Sequence, residues 1–307
     1  MRQPPAEVRR LVYLGTPAIA VPPLYALHEA GFEIALVVTN KDTRRGRGKE
    51  LMPTPVKKAA MKLGIPVSDS VDSVLEAHAV EAIDLGVVVA FGHLIRPPVL
   101  AEVPMVNIHF SKLPRWRGAA PLERAILAGD DVTAVALMAL EESLDTGGVY
   151  REVDVAIEST TTLDELRETM VAAASTMLVE GLREGLGEPR PQTGDITWAA
   201  KLGSDDRRID WSGSAEQIHR IIRLGGAHTT LRGKRLRIID AHPEPAVAND
   251  EGGEPTALEP GHINTTLVGT GEGMLRLVTV QPEGKAATEA ASWVNGARLT
   301  DQDVFGA

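Results

Sequence analysis

The chain has no cysteine in its 307 residues, which excludes disulfides, thiolate catalysis and cysteine-built zinc or iron–sulfur sites together. Any metal would have to be held by histidine and carboxylate alone. The eight histidines, at positions 28, 78, 93, 109, 219, 228, 242 and 262, include no pair at i,i+4 and no H-E-x-x-H, so no metal site is expected. No apolar run approaches the roughly 18 to 20 residues that a membrane span requires. The opening residues Met1 to Glu7 lead into an apolar strand rather than into the apolar core and cleavage site of a signal peptide. A cytoplasmic protein without a membrane partner is the expectation. The turn Gly15-Thr16-Pro17 lacks both G-x-G-x-x-G and a P-loop lysine, which disfavours a dinucleotide cofactor. G-x-S-x-G is absent as well, and no internal repeat is visible.

Positive charge is also in short supply: 32 Lys and Arg stand against 42 Asp and Glu, for a net charge of −10. That balance argues against general adhesion to nucleic acid, yet an average conceals patches. Lys41 to Lys58 holds seven basic residues against two acids, and Arg207 to Arg237 holds eight against two. Two basic stretches on an acidic protein point to a directed anionic partner; taken singly, each reads equally well as solvated surface charge.

The length exceeds one ordinary hydrophobic core, so two domains are expected, one large and one small. Leu11 to Leu14, Ile34 to Val38, Leu85 to Phe91 and Val135 to Leu140 read as strands buried on both faces, because their apolar runs are unbroken. Between them Ala18 to Ala30, Thr54 to Leu63, Val71 to Ile83 and Pro121 to Leu127 carry helical spacing. This alternation implies an α/β domain with a mostly parallel sheet covered by helices on both sides. A long helix over Thr162 to Leu182 opens on a capping box, Thr162 with Glu165, and carries an apolar stripe of Leu163, Leu166, Met170, Ala173, Met177 and Leu178. From Gly185 to Ser204 periodicity gives way to Gly, Pro, Gln, Thr and Asp. The expected organisation is a domain over 1–188, a linker over 189–206 and a second domain over 207–307. In the last, a helix over Ala215 to Leu224 precedes short strands at Leu236 to Ile239, Ile263 to Val268 and Met274 to Val280, the pattern of a small β-barrel.

The chemistry centres on Asn107-Ile108-His109, followed downstream by Ser143-Leu144-Asp145-Thr146-Gly147-Gly148. Two residues apart on an extended chain, Asn107 and His109 point to the same face. Asn107 can donate to an oxygen that gains charge, His109 can exchange a proton near neutral pH, and Asp145 can orient the imidazole. Ser111 is the one candidate nucleophile nearby, and it lacks the elbow motif. The set suits a transfer in which the substrate supplies its own nucleophile, such as an amine. Ligands on parallel sheets sit at the carboxyl ends of strands, and both motifs follow predicted strands. The Thr43-Arg44-Arg45-Gly46-Arg47-Gly48-Lys49 stretch reads as an exposed loop or as an element that grips phosphates.

With Leu14-Gly15-Thr16-Pro17, Arg45 to Lys49, Leu51 to Lys57, Ala90-Phe91-Gly92, Asn107-Ile108-His109, Ser111 to Pro121, Leu144 to Gly147, Lys201-Leu202, Arg208 to Trp211 and Gln281 to Lys285, the chain resembles the methionyl-tRNA formyltransferases along nearly its whole length. The Asn-x-His with its downstream Asp is common to folate-dependent formyltransferases; the basic loop and C-terminal motifs point to the tRNA branch. A relative acting on a sugar nucleotide or a purine precursor is the alternative. The resemblance implies a Rossmann-type formyltransferase domain followed by an OB-like barrel. It also implies 10-formyltetrahydrofolate as donor, methionyl initiator tRNA as acceptor, and a monomer. By position, it implies that Asn107, His109 and Asp145 are catalytic. It puts Phe91, Gly92, Ser111, Lys112, Leu113, Pro114 and Leu140 around the folate. It assigns Arg44, Arg45, Arg47, Lys49, Arg207, Arg208, Arg232, Lys234 and Arg235 to the tRNA. Lys112 stands where the family usually has Leu, and Glu123 where Gln is common.

Overall fold

The computed structural model of the chain describes residues 3–45, 50–244, 258–300 and 302–306. It divides into two compact units, the first comprising Met1–Leu122, Asp131–Ile157 and Leu166–Ala200, the second Glu123–Asp130, Glu158–Glu165 and Lys201–Ala307. The segment expected as the linker therefore divides: 189–200 belongs to the first unit and 201 onward to the second.

The first unit is built on seven strands, β1 (Arg10–Gly15), β2 (Glu33–Val38), β3 (Val67–Ser68), β4 (Leu85–Val89), β5 (Met105–His109), β6 (Val132–Ala139) and β7 (Val149–Ala156). Their spatial order is β7-β6-β5-β4-β1-β2-β3. β1 to β5 run parallel to one another, whereas β6 pairs antiparallel with both β5 and β7. The unbroken apolar runs are buried as expected, with Leu11 to Leu14 and all of β4 inaccessible or nearly so. β7 escapes sequence reading because Arg151, Glu152 and Asp154 interrupt it with polar residues.

Helices Val21–Glu29, Pro55–Lys62, Ser73–Val80 and Pro97–Glu102 provide the crossovers. The second of these starts has a clear local cause: Pro55 occupies the first turn, and the Thr54 hydroxyl accepts the Lys57 N–H at 3.0 Å. Fully buried Leu24 and Leu27 fasten the first helix, at about 1.5–3 kcal/mol for each side chain removed from water. Helix Leu163–Glu184 opens on the expected capping box, with the Thr162 N–H donating to the Glu165 carboxylate at 2.9 Å and the Glu165 N–H donating back to the Thr162 hydroxyl at 3.3 Å. Leu166, Met170, Met177 and Leu178 of its stripe are buried.

The second unit is a six-stranded antiparallel half-barrel whose strands, in spatial order, are His228–Leu231, Lys234–Glu244, Met274–Pro282, Leu267–Gly269 and Ile263–Asn264, with Thr288–Glu289 also on Met274–Pro282. Helix Ala215–Arg223, held by a Ser214/Gln217 capping box, lays Ile218 and Ile222 onto a core of Ile209, Trp211, Leu236, Ile238, Leu275, Leu277 and Phe305. The single strand expected over Ile263 to Val268 is a hairpin instead, because Thr265 turns into the left-handed region at φ 53° and pairs Ile263 with Val268. The Trp211 indole donates to the Thr229 hydroxyl at 2.9 Å, so its buried nitrogen is satisfied.

His219 lies buried on the same helix, edge-on to His242. Burial, with Arg223 and His242 adding positive charge nearby, pushes its imidazole down from an ordinary 6.5 to about 4. The unfolded chain therefore binds this proton more readily than the folded one. The associated stability is complete above pH 6.5 and drains away as pH falls toward about 4. Calorimetry should show the thermal midpoint of the second unit falling across that interval, and His219→Gln should flatten the fall.

Candidate active site

β4 and β5 are parallel neighbours with Val89 opposite Ile108, so their carboxyl ends set Phe91-Gly92 beside His109 to Ser111. Asn107 and His109 share a face of β5 by the two-residue period of a strand; His109 is buried and Asn107 is partly accessible. Among the described residues, nothing hydrogen-bonds the Asn107 side chain. β6 runs the other way, with Asn107 opposite Met138 and His109 opposite Ala136. Its carboxyl end therefore emerges at the far end of β5, where the Leu140 N–H donates to the Met105 carbonyl at 2.9 Å. The expectation that both motifs lie at strand ends of one polarity is thus corrected: Asp145 arrives on a loop that doubles back.

That reversal is tight. The Ala139 N–H donates to the Gly148 carbonyl at 2.8 Å, and a Cβ on Gly147 would stand 1.9 Å from the Ala139 oxygen. Asp145 itself is left-handed, at φ 54°. The outcome is a carboxylate oxygen Oδ1 at 3.7 Å from His109 Nδ1, with both side chains almost sealed from solvent. The other oxygen accepts the Gly118 N–H at 2.8 Å. On its far side, His109 Nε2 lies 2.9 Å from the Trp116 carbonyl, which can only accept, so Nε2 carries a hydrogen. A proton on Nδ1 then faces the carboxylate, and the ring can give and regain that proton while Nε2 holds its orientation.

Ser111 is wholly buried, and its hydroxyl donates to the Arg115 carbonyl at 2.6 Å. It is a brace for the Arg115-Trp116 turn, where Trp116 adopts φ 63° and Arg115 lies over the Trp116 ring at 4.5 Å. A group committed in this way is no nucleophile.

The other expected residues fall as follows. Phe91 is buried, Gly92 takes φ 78°, and Leu113 packs with Ala136, Met138 and Val149 beside a cis Leu113–Pro114 bond. Leu140 packs against the cluster that contains Phe91 and Met105. Lys112 is exposed and its ammonium donates to both Asp154 oxygens at 2.8 Å; that hydrogen bond is the main cause that pushes its pKa up. Arg44 and Arg45 lie on a strand, Thr43–Arg45, paired with Glu50–Met52, and the Arg44 side chain is exposed. Arg47 and Lys49 lie outside the described residues.

In the second unit Arg232, Lys234 and Arg235 border a groove of about 740 Å³ together with Lys285 and Trp293. Arg207 and Arg235 line another of about 550 Å³ with Arg237 and Lys285, two cations that the sequence reading did not assign although both lie in or beside motifs it quotes. Arg208 is exposed beside Asp210 and Trp211. Arg232 is exposed yet engaged within the chain: it donates twice to Asp303 at 2.6 Å and to the carbonyls of Ala297 and Arg298, and holds the Asp303 carboxyl well below the usual carboxylate range.

Sequence reading missed the segment 189–200. Trp198–Ala199 pairs with Arg117–Gly118, the Thr197 hydroxyl accepts the Trp116 N–H at 2.8 Å, and Gln192 reaches the Asp145 loop. Its loss of periodicity reflects a strap whose regular structure is limited to Trp198–Ala199, and composition does not distinguish a strap from a linker.

Comparison with known proteins places these features in context. The Formyl transferase family matches residues 9–182, and the Formyl transferase, C-terminal domain family matches residues 201–298. The methionyl-tRNA formyltransferase of Arthrobacter sp. (strain FB24) is 39% identical over 313 residues, covering 96% of this chain and 99% of its own. That of Streptomyces coelicolor is 38% identical over 97% of this chain and 99% of its own. Among solved structures, the sugar 3N-formyl transferase WlaRD superposes with TM-score 0.64 at 18% identity over 91% of this chain and 99% of its own. HypX from Aquifex aeolicus in complex with tetrahydrofolic acid does so with TM-score 0.60 at 18% identity, over 94% of this chain and 47% of its own. At that identity the two structures speak for the fold.

The doubling back of the Asp145 loop leaves no room for a side chain at Gly147. Gly147→Ala should destabilise the first unit by about 1–3 kcal/mol or more, as overpacking does, read as a lower urea midpoint.

Proposed function

The chain belongs to the methionyl-tRNA formyltransferase family, and from that premise we propose how its own residues carry the reaction. The formyl group of 10-formyltetrahydrofolate passes to the free amino group of methionine on initiator tRNA, giving N-formylmethionyl-tRNA for translation initiation. The observation that carries the reading is the sealed His109–Asp145 pair at 3.7 Å on the strand end that also bears Asn107. It is an acid–base device with no side-chain nucleophile beside it.

In this reading the amine nitrogen attacks the formyl carbon and forms the new C–N bond. The carbonyl oxygen becomes an oxyanion, to which the Asn107 amide and the proton on His109 Nδ1 donate. Such donors lower the barrier because they are already aimed where charge develops; one of them is typically worth roughly 10²–10³ in rate. As the bond from the formyl carbon to the folate nitrogen breaks, His109 gives its Nδ1 proton to that nitrogen and then takes up the proton lost by the amine. Asp145 keeps the imidazole oriented and balances its charge throughout.

Phe91, Gly92, Ser111 to Pro114 and Leu140 surround the folate in this reading, with Leu113 and Phe91 supplying apolar wall. Asp154 holds the Lys112 ammonium toward β7 at 2.8 Å. Arg44, Arg45, Arg47 and Lys49 meet the acceptor arm, while Arg207, Arg208, Lys234 and Arg235 meet phosphates, contacts that position the tRNA rather than read it. Arg232 acts there through its hold on Asp303. In this reading the protein works as a cytoplasmic monomer; its three catalytic side chains all lie in one unit of one chain.

Purified protein supplied with 10-formyltetrahydrofolate should formylate charged initiator tRNA and leave charged elongator tRNA unmodified; no product, or no discrimination, would sink the assignment. His109→Ala and Asp145→Ala should each lose about 10²-fold or more in kcat while tRNA binding persists. Neutralising Arg44, Arg45 and Arg47 together should instead weaken activity, and should flatten its dependence on salt concentration, because fewer counterions are released.

A further inference from the structure

We infer that Gln192 is a positioning residue of this reaction, acting through Asp145; the inference rests on the reaction proposed above. The strap 189–200 is fastened at both ends. At one end the backbones of Val149 and Arg190 exchange two hydrogen bonds of 2.8 Å. At the other, the Arg117 N–H donates to the Thr197 carbonyl and the Ala119 N–H to the Ala199 carbonyl, each at 2.9 Å. Between these anchors the Gln192 side chain spans the two loops that build the site. Its amide nitrogen donates to the carbonyls of Asp145 at 2.9 Å and Gly147 at 2.8 Å. Its amide oxygen accepts from Arg117 Nε at 3.1 Å and Nη2 at 2.6 Å.

A primary amide offers two donor hydrogens and two acceptor lone pairs, and here all four are used. Rotating the amide by half a turn would set its oxygen against two carbonyls and its NH₂ against a guanidinium, so one orientation is enforced. Arg117 is buried, and its side-chain hydrogen bonds go to Gln192, which ties a desolvated cation to the loop carrying the catalytic carboxylate. Asp145 needs such a tie. Its backbone is left-handed, a conformation that costs a non-glycine residue free energy and persists only when neighbours over-determine it. Its carboxylate is spent on His109 and Gly118. What holds the backbone of Asp145 is therefore a grip on its carbonyl, and Gln192 supplies that grip while touching no reacting atom.

Gln192→Glu is nearly isosteric and separates the two halves of the function. It keeps the acceptor for Arg117 and turns the donor into a carboxylate oxygen facing two carbonyls. We expect kcat to fall about tenfold or more, with KM for both substrates within about twofold and the thermal midpoint nearly unchanged. Activity relative to the unsubstituted protein should recover as pH is lowered, because a protonated Glu side chain can again donate to one carbonyl. Without any substrate, the Gly118 amide, protected by Asp145 at 2.8 Å, should exchange its hydrogen about tenfold faster. In an Asp145→Asn background the added substitution should cost little further, since a residue acting through Asp145 has nothing left to position.

The inference is overturned if Gln192→Glu turns over like the unsubstituted protein, if its loss multiplies fully with that of Asp145→Asn, or if activity falls only in step with thermal stability. Should Gln192→Glu not accumulate as folded protein, Gln192→Ala carries the same expectations apart from the recovery at low pH. If the unsubstituted protein makes no formylated product, the proposed reaction fails, while Gly118 exchange still decides whether Gln192 holds the loop.

Discussion

The Asp145 carboxylate reaches the His109 ring only because the chain reverses twice around β6. A parallel strand at that place would end beside His109 and offer its own carboxyl end to the site. An antiparallel one ends at Met105, so the following loop must travel back along the sheet. The closeness of that return has physical consequences that the neighbouring sequence meets one after another. Glycine stands at 147, where a Cβ would collide with the Ala139 oxygen, and at 148, where it would press on Pro189 at 2.9 Å. Asp145 takes a left-handed backbone, and two neighbours, Gly118 and Gln192, hold its side chain and its carbonyl.

Two polar neighbours show how the site discriminates among chemistries by hydrogen-bond direction. The Trp116 carbonyl accepts from His109 Nε2, leaving Nδ1 to face Asp145, and the Arg115 carbonyl accepts from the Ser111 hydroxyl. Both carbonyls belong to one short turn, so a single piece of backbone both selects the proton-bearing atom of the histidine and silences the serine. A chain with ten more acidic than basic residues nonetheless concentrates guanidinium and ammonium groups along two grooves of its second unit, the arrangement expected where one polyanion must be held and others refused.

Much of this was legible in the residues alone. Unbroken apolar runs announced β1, β2 and β4, since strands buried on both faces have no polar positions. The Thr162/Glu165 capping box announced the long helix, and the two-residue spacing of Asn107 and His109 announced their common face. What escaped reading did so for reasons that are themselves physical. Strand polarity is absent from an apolar run, so β6 looked like its parallel neighbours. β7 carries charges that find partners only in three dimensions, such as Asp154 with Lys112. Gln192 and Thr197 sit among Gly and Pro, where their side chains act at a distance in sequence that no local pattern encodes. The basic stretches were the least legible, because sequence does not say which of their cations are left to solvent and which, like Arg232, are engaged by a carboxylate of the chain itself.

The strap over 189–200 also bears on the order in which this protein becomes active during synthesis. A nascent chain that has reached residue 188 already carries Asn107, His109 and Asp145, but not the glutamine that grips the Asp145 carbonyl nor the strand that covers Arg117–Gly118. Domains emerge from the ribosome in sequence and fold as units, the N-terminal one first. The His109–Asp145 pair therefore acquires its bracing only once translation has carried the chain to the threshold of the second unit. The geometry around Asp145 matures late, close to the moment when the second unit begins to appear.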